Sequence, residues 1–306
     1  MLEKLEQKAN KNKRGIKMER TTVEKEGFCG MFHPVQNIEE KQVVIVLGGS
    51  EGNENIPMNV GAQFAEKGIP ALGICYWNVP GLPEQLIRVP LEPFEKAIGW
   101  LKKKGYEKIF IYGISKGGEL ALLVASLMPD ICGVIALSPI HCIWGGMKGN
   151  KGLLNKTFTK QSEFTWRGKD FPCMIAELKY GSAVKNFLLH QQFELSYMYE
   201  NPLKNFDEST AIPVENINGD ILFIYPEQDL MWPSKAAVEY MQKRLIDKGW
   251  KHNVTVLSYE KASHIMVPLD PPALKMFKVE RKFKEECRKN RRDAFAKTIE
   301  WLKERA

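Results

Sequence analysis

The chain has 306 residues, 44% of them hydrophobic, with 44 Lys and Arg against 37 Asp and Glu for a formal charge of +7. That is enough apolar material for a large core, and α/β folds of this length often form one domain. The basic excess is spread along the chain with no aromatic-interleaved basic stripe, no apolar run reaches the ~18 residues of a membrane span, and Met1 to Glu6 lacks an apolar signal core, so neither nucleic acid, a membrane span nor secretion is expected.

Residues 1–20 are charged and weakly periodic, and read as a lead-in to a single domain over 21–306. Thr21 to His33 alternates loosely around Gly27 and Gly30 and predicts an edge hairpin. Val43 to Leu47 is a fully apolar, β-branched run without alternation, as in a strand buried on both faces of a parallel sheet. A helix over Asn59 to Lys67 follows, then a second buried strand over Pro70 to Tyr76. Glu92 to Lys104 places Phe94, Ala97, Ile98 and Leu101 on one helical face, with Gly105 as its stop. Lys108 to Tyr112 is a third strand, Glu119 to Leu127 a small apolar helix and Gly133 to Leu137 a fourth strand.

This alternation predicts a doubly wound, mostly parallel α/β sheet. It breaks between about 141 and 215, a stretch rich in Gly, Lys and aromatics that ends in an amphipathic segment over Leu188 to Tyr199. A stretch this long without regular periodicity is usually functional, and it reads as an inserted cap over the active site. The sheet resumes at Ile221 to Tyr225, followed by a helix over Ser234 to Lys248, a last strand over Asn253 to Ser258 and a closing helix from about Lys282 to Lys303. The six cysteines contain no C-x-x-C pair, and Cys75 lies in an apolar run where a thiol acts as a small hydrophobe. A reducing cytoplasm is the expected compartment, and no metal or cofactor is expected.

The run Gly113-Ile114-Ser115-Lys116-Gly117 has the G-x-S-x-G pattern between a predicted strand and a predicted helix. A serine on so sharp a turn projects its hydroxyl clear of the sheet, and the crowded backbone leaves room only for glycine at the flanking positions. Ser115 is therefore the expected nucleophile of an α/β-hydrolase fold. Its hydroxyl needs an adjacent base, and in this fold the chain order is Ser, then Asp or Glu, then His.

Of five histidines, His33 precedes the core, His141 precedes any suitable acid, His190 lies in the cap and His252 opens a strand at the wrong end. His264 follows the last strand, at the carboxyl end where open α/β sheets place their sites. The acid belongs after the penultimate strand, where Asp229 is preferred, Glu227 is the alternative and Asp220 sits at the wrong end of the strand. The oxyanion hole is assigned to backbone N–H groups of Lys116 and of Ser50, in the run Gly48-Gly49-Ser50-Glu51-Gly52.

Several separated segments resemble the C-terminal catalytic domain shared by acyl-CoA thioesterases and bile acid-CoA:amino acid N-acyltransferases. They are Leu47 to Gly52, Gly113 to Leu122, Phe164 to Lys169, Ile212 to Gly219, Glu227 to Ser234 and Ser263-His264. The resemblance implies an α/β-hydrolase fold and carries the family triad onto Ser115, Asp229 and His264. It also implies an acyl-enzyme route for a small-molecule acyl thioester, with acyl-CoA ahead of a small ester cleaved by a carboxylesterase or a dienelactone-hydrolase-like enzyme. A non-catalytic binding member of the fold is disfavoured, because all three triad residue types are present.

Trp144, Phe164 and Trp166 are candidates for an acyl pocket, and Lys116, Arg167 and Lys169 for contacts to CoA phosphates. Three departures from the family stand out. The first core strand begins near Val43, so the β-sandwich domain that precedes the hydrolase in eukaryotic members is not expected. Serine replaces the acyltransferase branch's cysteine, which favours transfer to water. Ser263 stands where the family has glycine before its histidine.

Overall fold

The structure, a computed structural model, describes residues 17–36, 41–149, 157–177 and 180–306. Eight strands form the main sheet: β1 (Glu19–Thr21), β2 (Cys29–His33), β3 (Gln42–Leu47), β4 (Ala71–Cys75), β5 (Lys108–Ile114), β6 (Ile131–Leu137), β7 (Asp220–Pro226) and β8 (Val254–Tyr259). Their spatial order is β1-β2-β4-β3-β5-β6-β7-β8. β2 pairs antiparallel with both β1 and β4, and every later pairing is parallel. β1 starts within the expected lead-in, and residues 1–16 lie outside the described part of the chain.

The apolar runs behave as two-sided strands. Val43, Ile45 and Leu47 join one core cluster, while Val44 and Val46 join the other, as alternation of side chains across a sheet requires. The first cluster takes in α2 (Glu92–Lys103), α3 (Lys116–Leu127) and α6 (Ser234–Asp247); the second takes in α1 (Asn55–Glu66) and α8 (Lys284–Lys303), which follows the short α7 (Lys278–Lys282). Phe64 of α1 and Phe295 of α8 meet edge-to-face at 4.9 Å across that second layer. Helices on both faces make this an α/β-hydrolase fold, with the doubly wound, mostly parallel sheet expected from the sequence.

The stretch between β6 and β7 is more ordered than its sequence suggested. Gly145–Lys148 pairs antiparallel with Thr157–Ser162. Phe164–Trp166 pairs antiparallel with Lys169–Asp170 and parallel with Val89–Pro90, a segment lying before α2. The amphipathic segment expected over Leu188 to Tyr199 is instead divided: α4 (Tyr180–His190) ends before Gln191, whose φ is 48°, and α5 spans Tyr197–Leu203.

Candidate active site

β5 runs straight into Ser115, whose backbone takes φ 57° and ψ −122°, and α3 begins at the next residue. That conformation is costly for a side-chain-bearing residue and persists only where its surroundings enforce it. They do so through close approach. A Cβ on Gly113 would lie 1.9 Å from the Gly117 carbonyl oxygen, and one on Gly117 would lie 2.1 Å from the Gly48 carbonyl oxygen. The helix therefore starts three residues before the expected Glu119, because the turn draws Gly117 and Gly118 into it despite their weak helical preference.

The loop after β3 packs onto this turn. A Cβ on Gly49 would stand 3.2 Å from Ser115 Cβ, and the Tyr76 hydroxyl donates to the carbonyls of Gly48 and Gly49 at 3.1 and 2.7 Å. The run containing Ser50 is thus held against Ser115 and Gly117. Nothing in the sequence distinguishes Tyr76, which reads there only as the end of a buried strand.

At the carboxyl ends of β7 and β8 the Asp229 carboxylate meets His264 Nδ1 at 2.8 and 3.0 Å. Both side chains are nearly sealed, at 2% and 6% exposure. The carboxylate is oriented by the backbone N–H of Met231 at 2.9 Å and by the Ser234 hydroxyl. The His264 carbonyl accepts from Ser138 Oγ at 2.8 Å, and the Trp232 indole N–H donates to the Ser138 carbonyl at 2.8 Å. Trp232 also packs edge-on against the imidazole at 5.7 Å. Ser263 is buried and donates to Glu280, which is paired with Arg291 at 2.7 Å. A hydroxyl in the place of glycine thereby anchors the histidine loop to the C-terminal helices.

The other candidates lie elsewhere. Glu227 pairs with Lys235 at 2.8 Å, and Asp220 pairs with Arg305 at 2.8 Å at the far end of β7. His33 and His141 are buried, and burial pushes each down to about 4. His252 packs in a tilted contact on Trp250 just before β8, and the side chain of His190 lies outside the described residues.

Lys116 departs most from expectation. Its ammonium group does not face solvent as a phosphate contact would. It is buried between Glu119, at 3.0 Å, and Glu163, and lies 5.1 Å from the Trp232 ring centre. Arg167 is likewise committed, to Glu95 at 2.7 Å and to the face of Trp166. Trp144 and Phe164 have no exposed surface and sit within the main core, so no open pocket is formed by their side chains. Trp166 is partly buried against the same core.

One cation facing two sealed carboxylates implies that the carboxylates share a proton, since an unpaired buried charge is costly. Burial pushes Glu163 well above its ordinary value near 4.5, Glu119 adds to this, and Lys116 opposes it. The folded chain thus holds that proton more tightly than the unfolded chain does. The stabilisation is complete below the unfolded carboxylate value and is lost as pH rises through the folded one. The urea midpoint of the wild type relative to that of Glu163→Gln should therefore fall from about pH 5 to 8, a comparison in which the opposite contribution of the buried His33 and His141 cancels. Parallel profiles would show that Glu163 holds no such proton.

A strained serine at a strand-to-helix turn, with an Asp–His pair on the loops after β7 and β8, is the arrangement of an α/β-hydrolase. Residues 89–285 match the family described as BAAT / Acyl-CoA thioester hydrolase C terminal, and the chain belongs to that family. It is 26% identical over 208 residues to mitochondrial acyl-coenzyme A thioesterase 2 of Mus musculus, covering 67% of this chain and 41% of that protein. It is 25% identical over 231 residues to the bile acid-CoA:amino acid N-acyltransferase of Mus musculus, covering 74% and 49%. The chain thus spans less than half the length of these relatives. The fold is similar to that of a putative dienelactone hydrolase from Klebsiella pneumoniae, with a TM-score of 0.54 at 15% identity, covering 93% of this chain and 97% of that one.

Proposed function

We propose that the protein hydrolyses an acyl thioester, acyl-CoA foremost, through a Ser115–His264–Asp229 triad and a covalent acyl-enzyme. The observation that carries this reading is the sealed Asp229–His264 contact on the loops after β7 and β8, at the same carboxyl end of the parallel sheet at which β5 turns into Ser115. Asp229 holds the Nδ1–H tautomer and leaves Nε2 free to accept the Ser115 proton. Ser115 Oγ attacks the carbonyl carbon, and the N–H groups of Lys116 and Ser50 receive the oxyanion. Collapse expels the thiolate, which takes the proton from His264. Water, deprotonated by His264, then cleaves the acyl-enzyme and frees the acid.

Serine at the nucleophile position supports water as the acceptor. The curated relatives named above, whose names specify CoA thioesters, support the substrate class. Among the described residues no helix is long and apolar enough to cross a membrane, and the six cysteines are free thiols, in keeping with a cytoplasmic location. The test is a panel of acyl-CoA and p-nitrophenyl esters of matched acyl length. Acyl-CoA should lead in kcat/KM by at least ~10-fold, a difference of about 1.4 kcal/mol in transition-state binding. An equal or opposite preference would favour a small-ester hydrolase.

A further inference from the structure

A second feature lies beside the Asp229–His264 pair. A cavity of about 800 Å³ opens where the loops after β7 and β8 meet the chain between β6 and β7 and the C-terminal helices. Its wall includes Leu230, next to Asp229, and Ala262, two residues before His264. Gln192 closes another side, its Oε1 accepting from the Lys278 backbone N–H at 3.3 Å. The volume lies within the range of small-molecule sites.

The charge of this wall is unbalanced. Lys261, Lys278 and Lys282 line it, and among the described residues none of their ammonium groups has a carboxylate within ion-pair distance. Lys104 and Lys297, by contrast, are held by Glu19 and Asp293, both at 2.7 Å. The acidic wall residues are Glu260 and Glu227, and Glu227 is already neutralised by Lys235. Lys261 and Lys282 both lie over the Phe283 ring, at 4.3 and 5.1 Å from its centre, so two cations are gathered at one edge of the cavity. Such a surplus selects a multiply charged anion.

Position restricts the ligand further. The cavity lies at the β8 edge of the sheet, and Ser115 follows β5, which is three strand spacings away. At ~4.8 Å per spacing that is about 14 Å. An extended pantetheine arm, from its phosphate to its sulfur, is also ~15 Å long at standard bond lengths. A ligand with its sulfur at Ser115 is therefore long enough to bring its phosphates to this wall.

We propose that the cavity binds the nucleotide end of the thioester substrate, a phosphorylated adenosine whose phosphates are held by Lys261, Lys278 and Lys282. The proposal rests on the thioester reading for the substrate's identity, while the anion site can be tested by itself. It moves phosphate recognition away from Lys116 and Arg167, which are engaged in ion pairs.

The experiment compares the wild type with Lys261→Ala/Lys278→Ala/Lys282→Ala, all exposed positions where truncation leaves the core intact. Each protein is assayed with an acyl-CoA and with the matching acyl-N-acetylcysteamine thioester, which lacks the nucleotide. Binding of adenosine 3′,5′-bisphosphate is measured by calorimetry in parallel. The variant should raise KM for acyl-CoA by at least ~10-fold, the scale of one charge-assisted contact, with kcat held. KM for the short thioester should not move, and bisphosphate binding should be lost. If KM rises equally for both thioesters, or if acyl-CoA KM and bisphosphate binding are both unchanged, the site is overturned. If the wild type cleaves neither thioester yet binds the bisphosphate through these lysines, the anion site stands and the thioesterase reading falls.

Discussion

Ser115→Ala is expected to lower kcat by on the order of 10⁵-fold while the protein melts within a few degrees of wild type. The size of the loss follows from removing the atom that forms the acyl-enzyme, which leaves only substrate binding and the oxyanion donors to assist direct attack by water. Stability should hold because the turn is fixed by its backbone. The Ser115 N–H donates to the Leu137 carbonyl at 2.9 Å, and its carbonyl accepts from the N–H groups of Gly118 and Glu119 at 2.8 and 3.0 Å. Alanine takes the same strained φ with the same Cβ, so the elbow keeps its shape. Acyl-CoA turnover followed by thiol release, with a thermal melt on the same sample, measures both quantities. Residual activity within tenfold of wild type would place the nucleophile elsewhere.

Asp229→Asn should cost about 10⁴-fold in kcat with little change in KM. The amide matches the carboxylate in shape and can still accept the Met231 N–H through its oxygen. Its NH₂ donates to Nδ1, however, which forces the proton onto Nε2 and removes the lone pair that Ser115 needs. The control is Glu227→Gln. That side chain faces Lys235 on the surface, and breaking such a pair costs less than about 1 kcal/mol, so kcat should stay within a few-fold. Reversal of the two effects would transfer the acid's role to Glu227.

What the sequence made legible depended on how local the signal was. The two-sided strands were readable because burial on both faces leaves an uninterrupted apolar run, as from Val43 to Leu47. The elbow was readable because Gly113 and Gly117 each face a backbone carbonyl at a distance no side chain tolerates. The Asp229–His264 contact was readable from fold order, although the two residues are 35 apart in the chain. The stretch between β6 and β7 was not readable. Its strands are two to six residues long, and Phe164 finds its partner in Val89, so neither length nor periodicity marks it.

The Lys116 cluster was hidden for a similar reason. Glu119 lies one turn along α3, but Glu163 meets Lys116 from 47 residues away. A lysine beside a nucleophile reads as a surface cation until the fold supplies the carboxylates that allow it to be buried. Propensity places the start of α3 after Gly117 and Gly118, whereas the elbow requires helix there.

The most direct test of the central claim is the mass of the protein after reaction with a fluorophosphonate, followed by peptide mapping. One adduct per chain is expected on Ser115, absent in Ser115→Ala and strongly slowed in His264→Ala. An adduct on another residue, or no adduct on a protein that turns over its substrate, would contradict the assignment of Ser115 as the nucleophile.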